Sequence, residues 1–239
     1  MNWQQVETER GPFWTCSDEQ RRDLEQVISE QRDTSGHRYE TAAVFGPIEG
    51  TPRILRVEPG DVVLDLGAHL GVFTRIALDR GAVKVVAVDP DPVSCRCLRR
   101  TFEAEITAGR VVVVEAAAGG TWTRWWIGGS GIRTSLAAYE ADGHTPCEVA
   151  TVDAIVERLK LDRMDFVKLD IEGGETRALQ GAAETIRRFK PSIACCVYHD
   201  PDDASAALTT VRLVRNDYSV TCGPVAPWMT TPVLMFLWR

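Results

Sequence analysis

Residues 62–74, with the sequence VVLDLGAHLGVFT, constrain the fold more than any other stretch of this chain. An apolar run reaches Asp65, and a turn from Gly67 to Gly71 leads into a second apolar stretch with helical periodicity. This order predicts a buried strand, a tight turn and a helix start, because glycine accepts the backbone angles that such turns need. The turn then lies at the carboxyl end of a parallel strand, where open α/β sheets bind ligands.

The rest of the chain continues this alternation of apolar strands and amphipathic helices. It predicts an α/β fold with a mostly parallel sheet covered by helices on both faces. The predicted strands lie at 62–66, 83–88, 111–116, 165–170 and 192–198. The predicted helices lie at 72–80, 92–106, 152–160, 174–189 and 204–215, with Thr151 and Asp203 as expected caps of the third and fifth. Two final strands near 217–222 and 232–238 predict an antiparallel hairpin at the end of the sheet.

The N-terminal segment interrupts this pattern. Residues 17–34 show the apolar spacing of a helix, with Ser17 as the expected cap. Residues 35–60 are rich in glycine and proline and predict mostly loop. We therefore expect an N-terminal helical cap or extension over 1–58, followed by one α/β domain over 59–239.

Composition excludes several classes of protein. No apolar run reaches the ~18–20 residues of a membrane helix, and the N-terminus lacks the pattern of a secretory signal. We therefore expect a cytoplasmic protein without a membrane partner. The net charge of −7 argues against nucleic acid as the substrate. The seven cysteines contain no C-x-x-C pair, which argues against a zinc site, and a homodimer is left open.

The turn and the following strand together indicate the ligand. The glycine spacing is G-x-x-x-G rather than G-x-G-x-x-G, and Asp65 would repel a pyrophosphate but attract an ammonium, directly or through water. Asp89 ends the next strand, where a carboxylate can accept both ribose hydroxyls of an adenosine. These features predict S-adenosylmethionine, which carries an ammonium and an adenosine but no phosphate. The structural alternatives are an ordinary βα turn and a helix cap at Asp89 or Asp91.

Two further strand ends carry titratable side chains. The string FVKLDIEGGE places Asp170 and Glu172 after one strand, while His199 and Asp200 follow the next. His199 is the first candidate for a base that removes a hydroxyl proton, with Asp170 orienting it or binding the cofactor amine. In a second version Asp170, His199 and Asp200 hold Mg²⁺, which lowers the pKa of the alcohol. The alternative for Glu172 is a cap on the following helix.

Tryptophans form a further candidate surface. Residues 121–150 break the alternation and predict a hairpin arm, which carries Trp122, Trp125 and Trp126. Together with Trp228, these rings can stack on a sugar or an apolar ring, and the alternative is a packed hairpin face.

These stretches, in this order, resemble the FkbM family of S-adenosylmethionine-dependent methyltransferases. The matching strings are PGDVVLDLGAHLGVFT, VDPDP, EAAAGG, FVKLDIEGGETRALQGA and KPSIACCVYHDPDD. The resemblance implies a class I methyltransferase (Rossmann-like) sheet of seven strands, mostly parallel with the last strand antiparallel. It also implies O-methylation, usually of a hydroxyl on a sugar or a secondary metabolite from natural product biosynthesis.

By position, the resemblance assigns cofactor binding to Asp65, Gly67, Ala68, Gly71, Asp89 and Ala117, the last beside the adenine. The chain departs from the family at His69, where members often have Asn, and at Asp89, where they often have Glu. Two other classes of function stay open. One is a nicotinamide-dependent oxidoreductase on a similar sheet, and the other is a non-catalytic adenosine-binding protein.

Overall fold

The computed structural model describes residues 3–32, 42–45, 52–121, 123–128, 135–137, 145–222 and 234–238. Within them the helices are α1 (Asp18–Arg32), α2 (Val72–Asp79), α3 (Pro92–Thr101), α4 (Glu103–Thr107), α5 (Val152–Arg158), α6 (Glu175–Gln180), α7 (Ala183–Phe189) and α8 (Asp203–Val214). The strands are β1 (Gln4–Thr8), β2 (Gly11–Thr15), β3 (Ala42–Phe45), β4 (Pro52–Leu55), β5 (Val62–Leu66), β6 (Lys84–Asp89), β7 (Val111–Glu115), β8 (Ala117–Ala118), β9 (Thr123–Gly128), β10 (Ser135–Ala137), β11 (Thr145–Ala150), β12 (Phe166–Leu169), β13 (Ser192–Cys196), β14 (Ser219–Cys222) and β15 (Leu234–Trp238).

Seven strands form the main sheet in the order β14-β15-β13-β12-β5-β6-β7. The last strand, β15, is antiparallel to both of its neighbours, and the other pairings are parallel. This confirms the predicted sheet and its terminal hairpin. The strand order reverses between β5 and β12. In open α/β sheets, ligands bind at the carboxyl edge beside such a reversal.

Both faces of the sheet are covered, because neighbouring strand residues are apolar on both sides. Val63 packs into one hydrophobic cluster with residues of α1 to α3, while Leu64 packs into a second cluster with residues of α5 to α8. Cys196 packs into the first cluster and Cys195 into the second, because successive strand residues point to opposite faces of the sheet. None of the helices in the described part of the chain is both long and apolar enough to cross a membrane.

The N-terminal segment packs onto the first of these two faces. Phe13 from the β1–β2 hairpin and Leu24 from α1 are both fully buried in the same cluster as Val63. Ser17 caps α1 as expected, since its hydroxyl accepts a hydrogen bond from the Gln20 amide at 3.2 Å. The segment thus contains the expected helix, but also two hairpins, β1–β2 and β3–β4, that were not expected. Its division from the rest as a separate cap remains a prediction.

Two predicted helices are each divided in the structure. The first breaks at Phe102, whose ring turns inward and lies against the glycine turn at Gly71. The second breaks at Gly181, where a Cβ atom would lie 2.2 Å from the Gly119 carbonyl oxygen. In both cases tertiary packing overrides helix propensity.

One predicted cap is wrong and another is confirmed. Asp203 is the first residue of α8 rather than its cap, and its carboxylate accepts instead from the Asp200 amide at 2.7 Å. Thr151 does cap α5, because its hydroxyl accepts from the Ala154 amide at 3.1 Å.

The predicted arm is part of a second sheet with the order β10-β9-β11-β8. Trp126 on β9 is half-buried. Trp122, Trp228 and the side chain of Trp125 lie outside the described residues, so their stacking role remains a prediction.

Candidate active site at the carboxyl edge of the sheet

Two glycines shape the turn after β5, and both are required there by geometry. Gly67 has a φ of +77°, and a Cβ atom on it would lie 1.8 Å from the Asp170 carbonyl oxygen. Gly71 has a φ of +87°, and its Cβ atom would lie 2.4 Å from the Phe102 ring. Any other residue would therefore be strained and would collide with its surroundings. The first turn and the backbone after β12 are in direct contact as a result.

A buried ion pair supports this turn from within. Asp65 is fully buried; one carboxylate oxygen accepts from the Thr74 hydroxyl at 2.7 Å and the other lies 3.1 Å from the Lys168 ammonium. The same ammonium donates to the carbonyl oxygens of Leu66 at 3.2 Å and Gly67 at 2.7 Å. Lys168 thereby ties the turn to β12. Direct contact between Asp65 and a cofactor ammonium remains a prediction.

Lys168 is a residue whose role sequence reasoning missed. Burial lowers the pKa of its ammonium, but the charges of Asp65 and Asp170 outweigh that effect, so the pKa is raised overall. The signal in the sequence was a lysine inside the otherwise apolar strand FVKL, since a lysine is rarely buried without a partner.

Asp89 ends β6 and receives hydrogen bonds from two backbone amides. One carboxylate oxygen accepts from the His69 amide at 2.7 Å and the other from the Asp91 amide at 2.9 Å. Burial raises the pKa of Asp89 to about 7. Asp91, not Asp89, caps α3, because its carboxylate accepts from the amides of Val93 and Ser94. Asp89 is therefore not the cap of α3, and its contact with a cofactor ribose remains a prediction.

The remaining predicted cofactor residues lie around Asp89. The Ala68 amide donates to the Val88 carbonyl at 3.0 Å, so the turn is bonded to the strand that Asp89 ends. Ala117 is buried on β8 and pairs with Val149 of β11. His69 has a φ of +49°, and burial lowers the pKa of its imidazole to about 4, so this ring is neutral.

The titratable residues after β12 and β13 converge beside the turn. The Asp170 amide donates to the Leu66 carbonyl at 3.2 Å. Nε2 of His199 lies 3.3 Å from a Glu172 carboxylate oxygen, and Nδ1 lies 3.7 Å from Glu175 Oε1. His199 thus sits between two glutamates at the carboxyl edge.

Glu175 is a second residue that sequence reasoning missed. It begins α6, is only 2% exposed, and its Oε1 accepts from the Ile171 amide at 2.9 Å. Burial raises the pKa of its carboxyl. The signal was an acidic residue at the start of a helix, but such a residue usually lies in solvent, where it complements the helix dipole.

The predicted set of metal ligands changes in one member. Asp170, Glu175 and His199 each offer a ligand atom, and these atoms lie within 4.8 Å of one another. Asp200 is not in this group, because its carboxylate accepts from the Asp202 amide at 3.0 Å in the turn before α8. Glu175 takes the place that the sequence suggested for Asp200.

Glu172 does not cap α6. The residue at the N-cap position is Gly174, which has no side chain to bond the free amides. Glu172 instead has a φ of +57° and directs its half-exposed side chain toward His199. A positive φ at a residue other than glycine is costly and concentrates at functional sites, so this strain accompanies the contact with His199.

The electrostatics of His199 follow from these neighbours. Burial lowers the pKa of the imidazole, but the nearby carboxylates of Glu172 and Glu175 outweigh it, so the pKa is raised. The Tyr198 ring stacks on the imidazole with centroids 4.1 Å apart, and burial raises the pKa of its hydroxyl. The tyrosine therefore stays protonated and orients the His199 ring.

Known proteins with similar sequences are methyltransferases. Ribosomal protein L11 methyltransferase of Pelotomaculum thermopropionicum is 44% identical over 59 residues, which cover 25% of this chain and 19% of that protein. The 2-O-methyltransferase NoeI of Sinorhizobium fredii is 26% identical over 151 residues, which cover 56% of this chain and 62% of NoeI. In both cases the chain spans less than two thirds of its relative.

The fold is also that of a known methyltransferase. The crystal structure of methyltransferase FkbM from Methylobacillus flagellatus matches with a TM-score of 0.62 and 23% identity, over 77% of this chain and 45% of that one. A profile described as the methyltransferase FkbM domain matches residues 65–219, which contain the glycine turn, Asp89 and the cluster around His199. The chain therefore belongs to the FkbM methyltransferase family.

Proposed function

We propose that the chain transfers a methyl group from S-adenosylmethionine to a hydroxyl of a small-molecule acceptor, such as a sugar or a secondary metabolite. The proposal rests on the arrangement of residues at the carboxyl edge of the main sheet. The glycine turn meets the backbone of Asp170, and His199 follows the adjacent strand β13. The glycine turn therefore adjoins a titratable cluster, as methyl transfer to an alcohol requires.

The turn fits the adenosine half of S-adenosylmethionine. Asp89 uses one lone pair of each carboxylate oxygen on the amides of His69 and Asp91, so each oxygen keeps a lone pair for a ribose hydroxyl. Ala117, carried over from the family resemblance, is the proposed neighbour of the adenine.

The glycines fit the methionine half. Gly67 and Gly71 allow the turn to pack directly against Asp170 and Phe102. We propose that the methionine half lies along the backbone of this turn. We assign the cofactor ammonium to Asp170 and to Asp65, which would bind it directly or through water. When bound, the cofactor supplies a methyl group on a sulfonium.

His199 is the proposed base for the acceptor hydroxyl. The imidazole can accept a proton only when it is neutral, so the carboxylates that raise its pKa also set the pH at which it works. Its position between Glu172 and Glu175 orients the ring. Alignment of the acceptor oxygen with the methyl group and sulfur supplies several further kcal/mol.

The two named relatives differ in the acceptor that their names describe, since one methylates a ribosomal protein and the other is a 2-O-methyltransferase. We favour the small molecule because the net charge of −7 is unfavourable for contacts with a phosphate backbone. The name of NoeI describes a 2-O-methyltransferase, which supports a hydroxyl acceptor.

Calorimetric titration tests the cofactor. We expect S-adenosylmethionine and S-adenosylhomocysteine to bind and NAD⁺ not to bind. Asp89→Ala should weaken binding about tenfold or more, since a hydrogen bond to a charged group contributes roughly 1.5–3 kcal/mol. The matched control, Asp162→Ala at an exposed position, should leave binding unchanged. Binding of NAD⁺ alone would instead indicate the oxidoreductase.

Turnover tests the acceptor. Purified protein with radiolabelled S-adenosylmethionine is offered sugars, macrolides, an RNA transcript and a protein mixture. Transfer to the sugars or macrolides supports the proposal, and transfer only to RNA or protein contradicts it. The same reactions with EDTA address the Mg²⁺-assisted version, which unchanged turnover would exclude.

A further inference from the structure

We infer that Asp170, Glu175 and His199 form a binding site for a divalent first-row transition-metal ion, Mn²⁺ or Zn²⁺ in preference to Mg²⁺. Their ligand atoms lie within 4.8 Å of one another, close to the ~4.4 Å that opposite ligands span at bond lengths of about 2.2 Å. The three residues come from different elements, namely the end of β12, the start of α6 and the loop after β13. Small side-chain rotations would therefore suffice to close the site.

The second carboxylate oxygen of Glu175 is an independent observation that points to a ligand. Oε1 is satisfied by the Ile171 amide, but Oε2 has no hydrogen-bond partner among the residues that the structure describes. The side chain is 98% buried, since only 2% of the residue is exposed. A buried carboxylate oxygen without a partner is unfavourable, and a cation at this position would satisfy it.

The local charge also favours a cation. The cluster contains the carboxylates of Asp170, Glu172 and Glu175 beside the imidazole of His199. Lys168 lies near Asp170, but its ammonium is already engaged by Asp65 and by two carbonyl oxygens. A divalent ion would therefore offset an excess of negative charge.

The two nitrogens of His199 are arranged as in many metal sites. Nδ1 is the nitrogen on the Glu175 side, whereas Nε2 lies 3.3 Å from the Glu172 carboxylate. A histidine that binds a metal usually donates its other N–H to a carboxylate, which fixes the tautomer and the ring orientation. The Glu172 carboxylate lies on the Nε2 side, where it could take this role, and Nδ1 is left for the ion.

The donor set decides the kind of ion. One imidazole nitrogen and two carboxylate oxygens suit Mn²⁺ or Zn²⁺, whereas Mg²⁺ favours oxygen ligands and retains its water. Three protein ligands leave coordination positions for oxygens of the acceptor. If the proposed methyl transfer is correct, a bound ion would favour an acceptor with two adjacent oxygens. His199 would then be a ligand when the ion is bound and the base only in the metal-free protein.

Direct binding of Mn²⁺ tests the site without relying on activity. The full chain, freed of metal with EDTA, is titrated with MnCl₂ in the absence of cofactor and acceptor, and free Mn²⁺ is followed by electron paramagnetic resonance. We expect one saturable site from which ZnCl₂ displaces Mn²⁺ and a large excess of MgCl₂ does not. Because the cofactor is absent, failure here is distinguishable from failure of the proposed methyl transfer.

Three variants decide which residues bind. Glu175→Gln keeps the acceptor for the Ile171 amide and should weaken Mn²⁺ binding about tenfold or more. His199→Ala, at a partly exposed loop position, should do the same even if Glu175→Gln fails to fold. Asp200→Asn, next to the site but outside the group, should leave the affinity unchanged.

Two results would overturn the inference. One is the absence of saturable Mn²⁺ or Zn²⁺ binding below about 1 mM. The other is an equal loss of affinity in Asp200→Asn and in Glu175→Gln.

Discussion

Asp65 and Glu175 are two almost fully buried carboxylates at the same edge of the sheet, but their surroundings differ. Asp65 has the Lys168 ammonium at 3.1 Å and the Thr74 hydroxyl at 2.7 Å. Glu175 has one backbone amide and the His199 imidazole, whose Nδ1 is 3.7 Å away. The charge of Asp65 is thus balanced within the protein, whereas that of Glu175 is balanced only in part.

The two carboxylates therefore have different roles at the site, since Asp65 stabilises the structure and Glu175 is available for chemistry. The ion pair of Asp65 and Lys168 fixes the turn that the cofactor is proposed to occupy. Glu175 and His199 keep capacity for a proton or a cation, which a reactive site requires. We therefore expect substitutions at the first pair to affect stability most, and substitutions at the second to affect activity most.

The largest effect is expected for Lys168→Met. Loss of the ammonium leaves the Asp65 carboxylate buried without its ion pair, and breaking such a pair costs about 3–5 kcal/mol. Urea denaturation would measure the loss in the free energy of unfolding. The control Lys84→Met, at a half-buried position on β6, should cost less than about 1 kcal/mol. Equal losses in the two variants would mean that the ion pair is not structural.

His199→Ala should have the opposite effect to Lys168→Met, with a large loss of turnover and a small loss of stability. Turnover is expected to fall about 10²–10⁴-fold, the usual contribution of a positioned acid or base, while the free energy of unfolding changes by less than about 1 kcal/mol. Single-turnover assays and urea denaturation of the same sample would measure both quantities. A stability loss as large as that of Lys168→Met would remove the distinction between the two regions.

The pH dependence of turnover should report the carboxylates around His199. Glu172 and Glu175 raise the pKa of the imidazole above its ordinary value of 6.5, so the rate should increase with pH through that raised pKa. Glu172→Gln removes one of these charges and should move the increase to lower pH. A pH profile that is unchanged by Glu172→Gln would indicate that His199 is not the titrating group.

The raised pKa of His199 also makes the free energy of unfolding depend on pH. Because the folded state holds the proton more tightly than the unfolded state, the stabilisation is complete below the unfolded pKa. It is lost as pH rises through the folded pKa. The free energy of unfolding of the native protein should thus decline over this range, and that of His199→Ala should decline less.

The smallest effect is expected for Glu175→Gln. Removal of a buried charge that lacks a full set of partners should change the free energy of unfolding by no more than about 1 kcal/mol, in either direction. Thermal or urea denaturation without added metal would measure it. A loss of 3 kcal/mol or more, on the scale of a broken buried pair, would indicate that Glu175 is as well partnered as Asp65.

Much of the fold could be predicted because its signals are local. Runs such as VVLDL and KVVAVD are apolar on both faces, so they predicted buried parallel strands within a residue or two of their observed bounds. The predictions were wrong where a segment that is distant in the sequence packs against the element. Gly181 interrupts a helix because the backbone of Gly119 packs against it. The hairpin of β1 and β2 carries no strong turn signal and is held on the sheet by the burial of Phe13.

The candidate site was predictable only in part. Asp89 and Asp91 were equivalent candidates for a helix cap, and their roles separated only when the start of α3 was known. Asp200 was a plausible metal ligand by its place after a strand, but the turn before α8 uses its carboxylate. The sequence shows that Lys168 and Glu175 are charged, but no residue near them in the sequence indicates which groups they contact.

The sequence by itself determined the architecture of the sheet, the glycine turn at its carboxyl edge and the methyltransferase family. These depend on apolar periodicity and on backbone freedom, which neighbouring residues set. Only the tertiary structure decided that Lys168 neutralises Asp65 and that Glu175, rather than Asp200, joins Asp170 and His199. The physical reason is that Coulomb interactions and burial depend on distances between side chains far apart in the chain, which only the folded arrangement defines.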